Sequence, residues 1–183
     1  MTNTILYYDS SVWSSYILGH SDIHFEESEK QIQRLYKGHQ AVVSYLVILE
    51  VMGVIRKRIV ERENFTGQLN DDLKKELREK IKQKISQFFS LLIRLKNEDK
   101  IRIRIPDIPL EDYFKTVLKH YKNTDNDISI SGFKLKYKEL GHYDLQHAIH
   151  AAAFANEFIT NDHAFKYLNG TSAFSHLAIV IVK

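Results

Sequence analysis

The sequence predicts an α/β fold in which a parallel β-sheet is flanked by helices. Short runs of β-forming residues alternate along the chain with longer segments of helical periodicity. These runs are almost wholly apolar, which is typical of strands buried on both faces of a sheet. A length of 183 residues, of which 44% are hydrophobic, is sufficient for one domain with a substantial core.

The first part of the chain predicts three strands. Ile5–Tyr8 is a buried run of β-formers that stops at an Asp-Ser-Ser sequence typical of a helix N-cap. A polar helix is expected over Phe25–Lys37. Ala41–Val43 predicts the second strand, followed by a long helix that extends to about Val60. Ile101–Ile105 alternates isoleucine with arginine, which predicts a half-exposed third strand.

The last part of the chain predicts two helices and two strands. The helices are expected over Leu110–Tyr121 and Tyr143–Asn156. The strands are expected over Phe158–Thr160 and Leu177–Val182. Strands separated by helices favour parallel pairing, because a parallel neighbour is reached through a crossover connection.

Two segments are predicted as insertions into a single domain that spans residues 1–183. Within about 64–100, apolar residues recur at steps of three and four over Asp71–Lys96, which predicts an amphipathic helix. Its apolar side could pack on the domain alone or also contact a second subunit or partner. Within about 122–138, Gly132 separates two alternating runs, which predicts a β-hairpin or flap.

Composition excludes some kinds of site and compartment. The chain has no cysteine, which excludes disulfides and thiolate zinc sites. It shows neither a secretory leader nor an apolar run long enough to span a bilayer, so we expect a cytoplasmic protein without a membrane partner. The net charge of +3 is only a weak indication of a polyanionic partner.

Four carboxylates fall at matching ends of the predicted strands. Asp9 directly follows the first strand, and Asp162 comes just after the fourth. Glu50 lies in the helix after the second strand, and Asp144 lies in the first turn of the helix before the fourth. Ligands of parallel sheets bind at such carboxyl ends. Clustered acids raise one another's pKa unless a cation neutralises them, and oxygen ligands favour Mg²⁺ or Mn²⁺, metals that support phosphodiester hydrolysis.

Each acid also has an ordinary structural explanation. Asp9 and Asp162 could cap the helices that follow them, and Asp144 could be a first-turn acid favoured by the helix dipole. Glu50 could form a buried salt bridge, although it lies in the otherwise apolar stretch YLVILEVMGVI, where an unpaired charge is costly. The conjunction of all four at one edge of the sheet favours a metal site.

Four blocks of the sequence resemble, in order, the conserved blocks of the PIN-domain nucleases, specifically the toxin-like, VapC-type endoribonucleases. They are ILYYDSSVW, SYLVILEV, DLQHAIHA and ITNDHAF. The likeness covers roughly the first third and the last quarter of the chain. The middle, about residues 64–140, does not visibly match these proteins.

The resemblance implies a three-layer fold with a five-stranded parallel sheet in the order 3-2-1-4-5. It also implies an endoribonuclease that hydrolyses RNA with a water activated by one or two Mg²⁺ or Mn²⁺ ions, leaving a 5′-phosphate and a 3′-hydroxyl. Asp9, Glu50, Asp144 and Asp162 would form the catalytic, metal-binding quartet. Ser10 and Asn161 would assist through contacts to a neighbouring carboxylate or to water. Many such nucleases are toxins that form homodimers and are inhibited by a cognate antitoxin.

Basic segments are consistent with an RNA substrate. Residues 71–104 contain eleven Lys and Arg against six Asp and Glu, although a solvated helix face is the favoured explanation of this segment. Lys134, Lys136 and Lys138 alternate with apolar residues, which places three charges on one face of the predicted hairpin. We interpret these three lysines as weak candidates for RNA contacts.

Histidines near the acids leave two alternative functions open. His147 shares a helix face with Asp144 and could support the site or contact substrate, or it could simply line the helix packing. A His/Asp metal phosphohydrolase is therefore one alternative, although no HExxH motif is present. A non-catalytic PIN-like module that binds RNA or serves as a scaffold is the other.

Overall fold

The structure is a computed structural model, and it describes residues 4–62, 70–105, 107–109, 111–112, 115, 129–131, 134–136, 142–169 and 174–182. The strands are β1 (Ile5–Tyr8), β2 (Gln40–Ser44), β3 (Ile101–Arg104), β4 (Ser129–Ser131), β5 (Lys134–Lys136), β6 (Glu157–Thr160) and β7 (Ala178–Ile181). The helices are α1 (Ser10–Leu18), α2 (Phe25–Gln33), α3 (Tyr45–Arg62), α4 (Asp71–Asn97) and α5 (His142–Phe154), and 3-10 helices cover Gly19–Ser21, Arg34–Lys37 and His163–Leu168.

Five strands form one parallel sheet in the order β3-β2-β1-β6-β7. Counted along the chain, this is the order 3-2-1-4-5, so the predicted fold class is confirmed. Leu6 in the central strand pairs with Ala41 on one side and with Glu157 on the other. The strand order reverses between β1 and β6, and this switch point is where open α/β sheets bind their ligands.

Helices flank this sheet and complete the core. Helix α1 contacts α2, α3 and α4, and helix α5 packs on β1 and β6. The core is rich in aromatic side chains: the ring of Tyr7 lies 5.6 Å from that of Phe158, and the ring of Trp13 lies 6.2 Å from that of Phe88. Rings at such separations add to the stabilisation that their buried area provides.

Helix α4 packs its apolar side inside the same chain. Leu77, Phe88 and Leu92 are buried in the core, and the helix contacts α1, α3 and β3. Of the two roles considered for this stripe, packing on the domain is therefore the one that the structure describes. Phe89 and Ile93 project from a neighbouring side of the helix and are exposed.

The hairpin segment forms a separate two-stranded sheet. Strands β4 and β5 pair antiparallel, with Ile130 opposite Leu135. The remainder of the predicted flap, including Lys138, lies outside the described residues, as does most of the predicted helix Leu110–Tyr121. None of the helices in the described ranges is both long and apolar enough to cross a membrane.

Candidate metal centre

Asp9 lies at the carboxyl end of the central strand and is almost fully buried. Its backbone N–H donates to the carbonyl of Ile159 in the neighbouring strand, at 2.9 Å. Its Oδ2 accepts hydrogen bonds from Ser11 Oγ at 2.7 Å and Thr160 Oγ1 at 2.9 Å. Its Oδ1 receives only a long bond of 3.4 Å from Ser10 Oγ. One carboxylate oxygen is thus held by the fold, and the other keeps most of its capacity to bind a cation.

Glu50 reaches the same place from helix α3. Ser44 Oγ accepts the Val47 N–H at 3.3 Å, which caps the start of this helix. Glu50 Oε2 lies 2.6 Å from His147 Nε2 on helix α5. Burial raises the pKa of Glu50, but the hydrogen bond and charge of His147 and a hydrogen bond from Ser10 outweigh it, so the pKa lies below its ordinary value.

His147 is buried between Glu50 and the central strand. Its Nδ1 lies 3.0 Å from Tyr7 Oη, which lies 2.9 Å from Ser44 Oγ. Its Nε2 also lies 4.0 Å from Asp9 Oδ1. Burial lowers the pKa of His147, but the hydrogen bond to Glu50 and the charges of the neighbouring carboxylates raise it by more. The pKa of His147 therefore lies above its ordinary value.

Asp9, Glu50 and His147 form the tightest cluster of possible metal ligands in the described part of the chain, with one ligand atom from each within 4.8 Å of the others. Asp144 lies outside this trio but within its electrostatic field. Burial raises the pKa of Asp144, and the charges of Asp162, Asp9 and Glu50 raise it further, whereas His147 partly offsets them. Such mutual repulsion is what a bound divalent cation relieves, so the donor set fits a metal ion.

Asp162 has the most exposed position of the four predicted acids. Its Oδ1 accepts the Ala164 N–H at 2.8 Å and so caps the 3-10 helix that follows β6. It nevertheless lies close enough to Asp144 to be the largest charge acting on that carboxyl. The four acids therefore share one end of the sheet, while the binding of one cation by all four remains a prediction.

The side-chain amide of Asn161 bonds to residues of helices α1 and α2. Its side-chain Nδ2 donates to Ser15 Oγ at 3.2 Å, Ser28 Oγ at 3.3 Å and the Ser11 carbonyl at 3.3 Å. These bonds anchor the end of β6 to helices α1 and α2, and the predicted contact of Asn161 with a carboxylate or with metal-bound water stays a prediction.

Sequence reasoning missed the hydroxyl groups that hold the site. Ser11 and Thr160 bind Asp9, and Ser44 and Tyr7 lead to His147. Ser11 and Thr160 each lie two residues from an acid at a strand end, a place that many unremarkable hydroxyl residues share, and nothing in the sequence marks Tyr7 or Ser44 as part of the site. Strand pairing between distant segments brings them together, and a linear sequence does not display it.

His150 lies one turn beyond His147 and is perturbed in the opposite direction. Burial and the charge of His147 lower its pKa to about 4. Between about pH 6.5 and 4, His150 binds a proton in the unfolded chain but stays neutral in the folded protein, so the free energy of unfolding falls on acidification.

We expect His150→Gln to remove about 1–2 kcal/mol of this loss of stability, because the partial exposure of His150 reduces the contribution that its pKa shift makes. Urea titrations of both proteins at pH 7 and pH 4.5 measure it, and equal losses would contradict the assignment.

Comparison with known proteins gives a match at the level of fold. No protein-family model and no curated protein matches this sequence. A solved structure described as VapBC2 from Rickettsia felis bound to a DNA fragment from their promoter contains a similar chain, with a TM-score of 0.51 and 15% sequence identity. The likeness covers 98% of this chain and 99% of that one. This chain is therefore similar in fold, over nearly its whole length, to a chain of that VapBC2 structure.

Proposed function

We propose that this protein is a metal-dependent endoribonuclease of the PIN-domain type, which hydrolyses RNA phosphodiester bonds. The observation that carries the proposal is the convergence of Asp9, Glu50 and Asp144 at the switch point of a 3-2-1-4-5 sheet. The four sequence blocks that resemble PIN-domain nucleases contain these acids, and the fold likeness to a VapBC2 chain supports the same assignment.

Asp9, Glu50, Asp144 and Asp162 would hold Mg²⁺ or Mn²⁺, the cations that all-oxygen ligand sets prefer. When bound, such a cation activates water for attack on phosphorus and offsets the charge of the phosphate. Ser11 and Thr160 hold one oxygen of Asp9, so that the other is left to bind a cation. A carboxylate fixed in this way loses little further freedom when it binds a cation.

The surface beside Glu50 is suited to the approach of an RNA strand. Tyr45 and Leu49 are exposed on the outer side of helix α3. Exposed aromatic side chains such as that of Tyr45 stack with unpaired bases. Gly53 lies one turn beyond Glu50 on the same helix, and no atom lies within 4 Å of where its side chain would be. Exposed Arg104, which pairs with Ser44 in the sheet, adds a positive charge at the end of β3.

The hairpin lysines would extend this RNA surface. Lys134 and Lys136 are two residues apart in β5, which is the spacing of residues on one face of a strand. With Lys138 they would bind the phosphate backbone and keep it near the acids. We include them in the proposal as substrate contacts and not as catalytic residues.

A protein partner is part of the same proposal. The VapC-type resemblance and the fold likeness to a VapBC2 chain support a toxin that is held inactive by a cognate antitoxin. The same resemblance supports a homodimer. Co-expression with the product of the adjacent reading frame, followed by co-purification, tests the antitoxin.

Cleavage of a 5′-labelled single-stranded RNA tests the central claim. We expect cleavage with Mn²⁺ or Mg²⁺, none with EDTA, and products that carry a 5′-phosphate and a 3′-hydroxyl. A melting temperature that neither cation raises would contradict a metal centre and favour a non-catalytic module. Cleavage of a phosphomonoester, but not of RNA, would favour the His/Asp phosphohydrolase.

A further inference from the structure

A chain of buried hydrogen bonds leads from the second strand of the sheet to the metal centre. Ser44 Oγ in β2 lies 2.9 Å from Tyr7 Oη in β1, which lies 3.0 Å from His147 Nδ1 in α5. His147 Nε2 lies 2.6 Å from Glu50 Oε2 in α3. Ser44 and Tyr7 have no exposed surface, and His147 is 1% exposed. Water therefore does not compete for the bonds among Ser44, Tyr7 and His147.

The groups at the two ends of this series of hydrogen bonds determine which partner donates in each bond. An ionised carboxylate only accepts hydrogen bonds, so the 2.6 Å contact with Glu50 requires a hydrogen on His147 Nε2. In the neutral ring, Nδ1 is then an acceptor and the Tyr7 hydroxyl donates to it, whereas in the charged ring Nδ1–H would donate to Tyr7 and the Ser44 hydroxyl would lose Tyr7 as its acceptor. Tyr7 in turn accepts from Ser44, whose oxygen already accepts the Val47 N–H at 3.3 Å. Every polar group in the chain has a partner under this single arrangement.

We propose that Ser44 and Tyr7 are positioning residues that fix the imidazole of His147, so that its Nε2 donates to Glu50 and does not ligate the metal. The proposal rests on the proposed function for its cation. Glu50 lies on the second turn of helix α3 and is 28% exposed at its side chain, so without this bond only the Ser10 hydroxyl would hold its carboxylate. The hydrogen-bonded series Ser44–Tyr7–His147–Glu50, which we call the relay, instead holds the carboxylate of Glu50 beside Asp9 and leaves its remaining lone pairs to a cation.

In this arrangement, His147 lies close to the metal-binding acids but does not itself bind the metal. The ligand atoms of Asp9, Glu50 and His147 lie within 4.8 Å of one another, which alone would allow a cation bound by nitrogen and oxygen. A hydrogen on Nε2 removes the lone pair that a metal needs. The cation would then be bound by oxygen atoms only, and its affinity would depend on Tyr7 even though Tyr7 touches neither metal nor RNA.

Two adjacent tyrosines provide a matched test. Tyr7→Phe removes the hydroxyl of the relay, whereas Tyr8→Phe removes a buried hydroxyl that donates to the Gln31 carbonyl, at 2.6 Å and away from the acids. Both changes remove a hydrogen bond made by a buried tyrosine hydroxyl and should lower the melting temperature. We expect Tyr7→Phe to weaken Mn²⁺ binding about tenfold or more by isothermal titration calorimetry, and Tyr8→Phe to change it less than about twofold. Equal changes in the two variants would overturn the relay.

Nuclear magnetic resonance of ¹⁵N-histidine-labelled wild-type protein tests the direction without any variant. We expect a hydrogen on His147 Nε2 both before and after Mg²⁺ is added. Its loss on Mg²⁺ addition would identify a nitrogen ligand and overturn the proposal. If the protein binds Mn²⁺ with the predicted dependence on Tyr7 but cleaves no RNA, the proposed function fails and the relay stands.

Discussion

Asp9→Asn is expected to abolish RNA cleavage while the protein stays folded. The oxygen that accepts from Ser11 and Thr160 must remain an acceptor, so the amide oxygen of asparagine takes that place. The amide NH₂ group then occupies the Oδ1 position, where its hydrogens repel a cation. We expect a loss of more than about a hundredfold in cleavage rate, measured with labelled RNA at saturating Mn²⁺.

Asp144→Asn tests the same site from helix α5 and should lose cleavage to a similar degree. Asp99→Asn is the matched control, because Asp99 is exposed in the turn before β3. Its φ of 54° is one that asparagine adopts readily. Substantial cleavage by Asp9→Asn or Asp144→Asn, with melting temperatures near that of the wild type, would rule out these acids as metal ligands.

Phe88→Ala is expected to lower the free energy of unfolding by about 3–5 kcal/mol. Phe88 is fully buried on helix α4, and its ring lies 6.2 Å from that of Trp13 on helix α1. Truncation removes the apolar surface and leaves a cavity that a packed core cannot close. Phe89→Ala is the matched neighbour: Phe89 is 39% exposed, so its loss should cost less than about 1 kcal/mol. Urea denaturation of both variants measures the difference.

The Phe88→Ala and Phe89→Ala variants also distinguish packing of helix α4 within one subunit from contact between two subunits. A small effect of Phe88→Ala would mean that helix α4 is loosely attached to the domain. Light scattering of Phe89→Ala addresses the predicted homodimer, since Phe89 lies on the exposed side of α4. A fall in mass in that variant would place the subunit contact on this side of the helix, and an unchanged dimer would place it elsewhere.

The sheet was predictable because its signals are local. The strands around Tyr7 and Val42 are short apolar runs bounded by polar cap residues, and both occur within a residue or two of their predicted places. The acids were predictable as candidates for a similar reason, since a charge at the end of a buried run is costly without a role. The amphipathic period of helix α4 predicted a buried side, but not which surface would cover it.

Directions of side chains were not predictable from the same signals. Asn161 and Asp162 are neighbours in one resembling block, yet the amide points to Ser28 and the acid lies near Asp144. His147 could equally have lined the packing between helices. Its contacts to Tyr7 and Glu50 depend on how α5 and α3 meet across the sheet, which no local pattern encodes.

The strand order has a consequence for the synthesis of this protein. The central strand β1 is made among the first residues, but its neighbour β6 is made near the end of the chain. Asp9 acquires its contact with Thr160, 151 residues later in sequence, only after that segment has left the ribosome. A growing chain therefore carries Asp9 and Glu50 long before it has Asp144 or the sheet edge that aligns them. For the proposed ribonuclease, the catalytic site is therefore incomplete until the end of synthesis, when β6 takes its place beside β1.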